Sequence, residues 1–400
     1  MQLNKYSLIA ILALSNHALL YAENYVTVDF LQYNENDNRV AVSAPSFGLS
    51  YDIGTDLNVK ADFVNDTITG ATPVWQSTMA DTSSGASGQV VNNTGDYVYK
   101  NQSFTDTRNA GSLLVTRRFK NRDELTVGAN FSSESDYESK TFSADYMHYT
   151  DASHNRSINL GISGAFDEIL VKSVANGGKY RGDDDDKSYY KDDDDYDGES
   201  GASQRETSNT INLQLGVNQI LNETSSLKLD AFAVLSAGYL TNPHQRVVRN
   251  YNSAFQKLGD ESRPDKRTAY GVALKHIVLL GDSVSLNSNY RYYTDDWQIQ
   301  SNTLEENAYY EASKKLTLGA GVRYYTQTQA SFYNASKDHF TDETYASSDE
   351  RLSQFDALTY KGSLDYKIND NLSYNLGAEF YSQSTGLKST MITTGAKYHF

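Results

Sequence analysis

Apolar and polar residues alternate with a period of two along most of this chain. Val59, Ala61 and Phe63 are separated by Lys60 and Asp62, and Leu125, Val127, Ala129 and Phe131 by Thr126, Gly128 and Asn130. The same pattern sets Ile211, Leu213, Leu215 and Val217 against Asn212, Gln214 and Gly216, and Leu316, Leu318, Ala320 and Val322 against Thr317, Gly319, Gly321 and Arg323. A period of two puts successive side chains on opposite faces of a strand. About sixteen such segments follow one another, each long enough to cross a bilayer at a tilt. The count is even, as in single-chain bacterial barrels.

The connections sharpen this reading. Short turns are predicted at 52–55, 120–123, 151–155, 222–225, 281–283, 313–315 and 369–371. Long polar connections are predicted near 70–103, 167–208, 241–266 and 331–354. Such asymmetry is expected of an outer-membrane barrel, with short periplasmic turns and long extracellular loops. A soluble β-sandwich has no need of it. The predicted fold is therefore all-β: a single transmembrane antiparallel up-and-down β-barrel of about sixteen strands, formed by residues 23–400. Residues 1–22 read as a secretory signal peptide, with Lys5, a short apolar run and a small residue at Ala22.

The last strand points the same way. Ile392, Thr394, Ala396, Tyr398 and Phe400 share one face, and Thr393, Gly395, Lys397 and His399 the other. An apolar face closed by an aromatic resembles the final strand of bacterial outer-membrane barrels, where the terminal residue helps barrel-assembly machinery recognise its client. The expected location is the bacterial outer membrane, with the lipid bilayer and that machinery as partners.

Composition changes the picture in three respects. The 31 tyrosines suit the aromatic girdles of a membrane barrel. The absence of cysteine excludes disulfides, thiolate catalysis and thiolate-bound clusters. A formal charge of −16 disfavours nucleic acid and favours cations or basic partners.

Several patches are more distinctive: Asp66-Thr67-Ile68-Thr69-Gly70-Ala71-Thr72-Pro73, Asn130-Phe131-Ser132-Ser133-Glu134-Ser135-Asp136-Tyr137, Gly238-Tyr239-Leu240-Thr241-Asn242-Pro243, Tyr290-Arg291-Tyr292-Tyr293-Thr294-Asp295-Asp296-Trp297 and Arg323-Tyr324-Tyr325-Thr326-Gln327. In this order the chain resembles the proteobacterial outer-membrane proteins grouped as domain of unknown function 3570. The resemblance implies an extracytosolic redox setting, with a small lipoprotein or redox protein as partner. It assigns no catalytic residue. The chain departs from the family pattern at His244-Gln245, where Tyr and Lys are expected after the proline.

Three constellations carry possible chemistry. Alternation turns Lys60, Asp62, Lys228, Asp230, Lys275, Arg291, Asp295, Arg323, Lys361, Asp365 and Glu379 toward the lumen, where they either line a pore for ions and polar solutes or pair across it and occlude it. Arg291, Asp295 and Trp297 share a strand face, as do Arg323, Tyr325 and Gln327. Such sets hold a carboxylate, a phosphate or a planar ligand, or anchor loops over the mouth, with Glu134 and Asp136 as counter-charges. The third is acidic: Asp183, Asp184, Asp185 and Asp186, then Asp192, Asp193, Asp194 and Asp195. Clustered carboxylates suit Ca²⁺, although the spacing is not that of an EF-hand and like-charge runs are more often solvated loop. The histidines have no triad or ligand spacing, so neither an enzyme nor a cofactor is expected. The chain thus reads as a channel or transport protein for small polar or cationic solutes. The alternative is a sleeve or docking scaffold for a lipoprotein or redox partner.

Overall fold

The computed structural model describes residues 24–77, 97–172 and 203–400. The predicted signal peptide and the acidic stretch Asp183–Asp195 lie outside the described residues. Eighteen strands follow in chain order: β1 (Tyr25–Glu35), β2 (Val40–Ile53), β3 (Leu57–Ser77), β4 (Tyr97–Arg118), β5 (Glu124–Ser133), β6 (Tyr137–Tyr149), β7 (Arg156–Lys172), β8 (Ser203–Asn222), β9 (Ser225–Gly238), β10 (Arg246–Arg249), β11 (Lys257–Asp260), β12 (Lys266–Leu280), β13 (Val284–Asp295), β14 (Gln300–Ser313), β15 (Leu316–Gln327), β16 (Phe355–Lys367), β17 (Leu372–Gln383) and β18 (Lys388–His399). Sixteen of them form one closed antiparallel barrel, in which each strand pairs with its neighbour in sequence once the hairpin β10–β11 is set aside. The seam is complete: β1 pairs with β18 from Tyr25 opposite His399 to Glu35 opposite Ser389, so no edge is left for another chain to extend.

The barrel is apolar on the outside. Phe30, Phe63, Phe142, Leu160, Leu215 and Leu304 point outward and are 42–58% exposed, which in water would be an aggregation surface and in lipid is the expected contact. Tyr51, Tyr310, Tyr366, Tyr374 and Tyr398, also exposed, ring the end that carries the termini. Substituting Asp for Leu215 or Leu318 is expected to destabilise the folded barrel by up to roughly 2–4 kcal/mol, since Asp costs less than the Arg or Lys for which that range holds at mid-membrane. The midpoint of urea unfolding in lipid vesicles measures it, and an unchanged midpoint would mean that these leucines do not face lipid.

All seven predicted short turns lie at the terminus-bearing end. The opposite, loop end is less uniform than expected. Four of its eight connections are long, and four are tight turns, after β1, β5, β13 and β17. Two long connections are shorter than predicted, because β3 continues to Ser77 and β4 starts at Tyr97, while β7 continues to Lys172 and β8 starts at Ser203. These extensions include stretches polar on both faces, as at Ser203-Gln204-Arg205-Glu206. There the alternation that marks a strand in lipid fades while the hydrogen-bonded ladder continues. The predicted loop 241–266 contains β10 and β11, and the predicted loop 331–354 a 3₁₀ turn at Glu350–Leu352.

Among the described residues, the apolar clusters sit at the loop end and draw mainly on connections. One joins Trp297, Ile299, Ala330, Phe332 and Leu352; another joins Trp75, Tyr97 and Val248; a third joins Val247, Phe340 and Ala346. The segments 239–265 and 328–354 are stitched by bridges between Arg249 and Phe340 and between Ser262 and Ala346. They form a packed cap on the loop end.

Candidate functional site: the capped mouth and the wall beneath it

The cap is held by buried ion pairs. Arg263 lies between two carboxylates, 2.8 Å from Glu261 and 2.7 Å from Asp349. Asp349 also receives the Arg351 Nε–H at 2.9 Å and the backbone N–H of Arg351 at 3.1 Å. Glu261 accepts from the backbone N–H of Asn242 at 3.0 Å and from the Ser347 hydroxyl. Burial alone would raise the Asp349 carboxyl, but the guanidiniums of Arg351 and Arg263 outweigh it and hold the group well below the usual carboxylate range. Burial pushes Glu261 up; the Arg263 guanidinium in contact with it opposes the rise without cancelling it, and the charge of Asp349 adds to it. Arg39, in the turn after β1, reaches across to Glu350 at 3.0 Å and ties the cap to the barrel seam.

A second set of contacts anchors the cap from below. The Tyr33 hydroxyl donates to Glu35, Tyr293 to Asp295, Tyr325 to Gln327 and Tyr381 to Gln383, at 2.7–2.8 Å. These tyrosines stand on β1, β13, β15 and β17, alternate strands of one arc of the barrel. Each points inward, and its partner lies two residues nearer the cap. Gln327 passes the connection on, donating to the carbonyls of Arg351 at 3.0 Å and Ser353 at 2.6 Å. Asp295 takes the Arg267 Nε–H at 2.9 Å and the backbone N–H of Ile299 at 2.9 Å. Trp297 is buried, donates its indole N–H to the Lys266 carbonyl at 3.0 Å, meets Phe332 edge-on and lies 4.5 Å beneath the Arg267 guanidinium.

The structure therefore divides each predicted triplet. Asp295, Trp297, Tyr325 and Gln327 anchor the cap. Arg291 and Arg323 lie one level deeper on the inner wall, Arg291 over the Phe232 ring at 4.5 Å and Arg323 beside the Tyr325 ring at 5.9 Å.

Glu134 and Asp136 are elsewhere. They sit in the β5–β6 turn, about a third of the way round the barrel from Arg291 and nearly half-way from Arg323, which corrects the expectation that they would supply counter-charges there. Oxygens of Asp106, Glu134 and Asp136 come within 4.8 Å of one another. Asp136 also meets His244 of the cap at 2.9 Å. The histidine that departs from the family pattern is thus a tether between cap and rim. It lies there because the tight β5–β6 turn raises Asp136 to the level of segment 239–265.

Lower on the wall, charges of opposite sign pair off. Lys361 lies 3.0 Å from Glu305 and 3.9 Å from Glu379, and Lys228 lies 3.3 Å from Asp230. Glu305, Lys361, Glu379, Gly321 and Thr393 border a recess of about 260 Å³ on the inner face.

A family model described as Protein of unknown function (DUF3570) matches residues 7–398. The chain belongs to this family. No curated protein matches the chain. Among solved structures, this DUF3570 chain is similar to a mutant of the ferric enterobactin receptor PfeA from Pseudomonas aeruginosa, at 11% identity and a TM-score of 0.45, covering 91% of this chain and 54% of that one. It is also similar to a loop-deletion mutant of OmpT, an outer membrane protein of Vibrio cholerae, at 9% identity and a TM-score of 0.44, covering 94% and 98%. A third is the monoaromatic hydrocarbon channel CymD, at 9% identity and a TM-score of 0.42, covering 94% and 88%. The DUF3570 chain spans about half the length of the receptor chain. These likenesses concern the barrel and leave the mouth to its own residues.

Arg263, Arg267, Asp349 and Arg351 escaped the sequence reading because they lie in or beside connections without periodicity. The tyrosine repeat was within reach. Tyr33-Asn34-Glu35, Tyr293-Thr294-Asp295, Tyr325-Thr326-Gln327 and Tyr381-Ser382-Gln383 are one pattern, a tyrosine followed two residues on by an amide or carboxylate at the loop end of a strand.

Proposed function

We propose that this chain is a channel or transport protein of the bacterial outer membrane, passing small polar solutes, cations among them, through a lumen narrowed at its loop end by the folded cap. The observation that carries this reading is the contrast between the two levels of the interior. The cap is packed with apolar side chains and buried ion pairs, whereas the wall below is built from charged, polar and very small residues with a recess among them. Gly319, Gly321 and Gly377 border that recess, where a Cβ on any of them would press on Ser363, Asn307 or Thr393 of a neighbouring strand. The net charge of −16 supports entry of cations at the surface.

The route to the membrane follows the same logic. The signal-peptide pattern leads the chain out of the cytoplasm, and the apolar face of β18 ending in Phe400 is the segment offered to the assembly machinery. Proteoliposomes carrying the purified chain are expected to swell faster than protein-free vesicles in small sugars and amino acids. Swelling no faster than in empty vesicles would remove transport and favour the docking scaffold.

A further inference from the structure

We infer that Arg291 and Arg323 form a binding site on the inner wall, beneath the cap, for the oxyanion of a small solute, either a carboxylate or a phosphate. The two arginines project inward from β13 and β15, on either side of β14, with Arg291 opposite Thr303 and Arg323 opposite Glu305. Among the described residues, the other inner-wall arginines, Arg108, Arg118 and Arg267, each lie within 4 Å of a carboxylate. Arg291 and Arg323 have neither an ion pair nor a hydrogen bond to any described residue. Arg323 is half-buried, and its Nε–H is shut away from solvent with no acceptor. Arg291 is open to the lumen, where a solute can reach it. Glu305, the carboxylate across from Arg323, is already engaged by Asn307 at 2.9 Å and Lys361 at 3.0 Å.

A buried guanidinium N–H without an acceptor is costly. The like charge of Arg291, close enough to repel Arg323, adds to that cost. An oxyanion placed between them offsets both costs, because guanidinium forks match the paired oxygens of a carboxylate or phosphate. The surroundings add a preference. Phe232 and Tyr325 put aromatic rings beside the guanidiniums, and Gly271 opposite Phe232 leaves no side chain to displace that ring. The hydroxyls of Tyr293 and Tyr325 are already donated toward the cap, so the walls of the site are ring surfaces. An oxyanion on a flat apolar body fits this better than a bare one.

The inference deepens the reading of the barrel as a transport protein by naming a class of solute. It rests on the fold and the side chains and not on conduction, so a binding assay and a flux assay fail independently. The test is isothermal titration of the folded full-length barrel in detergent with sodium benzoate and, separately, with inorganic phosphate. Saturable binding of benzoate identifies a carboxylate solute, and of phosphate alone a phosphorylated one. In either case R291Q and R323Q are expected to weaken binding about tenfold or more, as the loss of a charge-assisted hydrogen bond implies. R323K, which keeps the charge and loses the fork, is expected to fall between R323Q and the wild type. A heat-modifiable gel band confirms that each variant is folded. Saturation by neither anion, or affinities unchanged in folded R323Q and R323K, would overturn the site.

Discussion

Replacing Arg263 with alanine loosens the cap by about 3–5 kcal/mol and leaves the barrel closed. The substitution removes the cation that stands between Glu261 and Asp349 and leaves two buried carboxylates facing each other. Asp349 keeps Arg351, whereas the hydrogen bonds left to Glu261 come from neutral donors, the Asn242 amide and the Ser347 hydroxyl. Breaking a buried pair in this way costs far more than removing a surface one, because the remaining charge is stranded out of water. The barrel strands make none of these contacts. The chain holds two tryptophans, Trp75 and Trp297, and both are buried in the apolar clusters of the loop end, so tryptophan emission reports on the cap. A red shift in Arg263→Ala with an intact heat-modifiable band is the expected result, and emission identical to wild type would show that the network does not hold the cap.

The same network sets a pH response. A carboxyl held low in the folded state contributes stability that is present above its ordinary value, about 3.9 for Asp, and is lost as pH falls from there through the folded value. That is the case of Asp349. Glu261 has the opposite sign: its pKa is raised, so its ionised form is disfavoured in the cap and mild acid relieves that cost. The cap is therefore expected to stay closed from neutral pH down to about pH 4 and to open only in stronger acid. Tryptophan emission followed through that range checks it; a red shift on going from neutral pH to mild acid would reverse the assignment of the two carboxyls.

Trp297→Ala is expected to cost the cap about 3–5 kcal/mol, the range for emptying a buried tryptophan position. The indole packs with Phe332, Ile299 and Leu352 and supports the Arg267 guanidinium from below. Its loss also leaves the Lys266 carbonyl, at the start of β12, without the indole donor. Hydrogen exchange is expected to rise across 328–354 and to remain slow in β13–β16. Equal acceleration in those strands would mean that cap and barrel unfold together.

Most of the barrel was legible in the sequence because lipid demands a strict alternation, and the strands around Leu213 and Leu318 follow it residue by residue. The seven tight turns were legible because each interrupts that alternation with polar residues. The cap was not, since segments 239–265 and 328–354 pack mainly through irregular chain and the four-residue strands β10 and β11, too short for a period to show. Arg291 and Arg323 were found from strand faces. Their separation from Asp295 and Gln327 was not, because sharing a face says nothing about depth, and depth decides whether a side chain meets the cap or the wall. Glu134 and Asp136 show the complementary limit: their face was clear, and their distance round the barrel from β13 and β15 needed the closed sheet.

The most direct test is planar-bilayer recording from the wild type beside Arg263→Ala. The wild type is expected to give small discrete conductance steps, and the variant larger ones, if the wall below the cap is the proposed conduit and the cap its constriction. Silence in both, with folded and inserted barrels, would contradict the channel and leave this chain a sleeve for another protein.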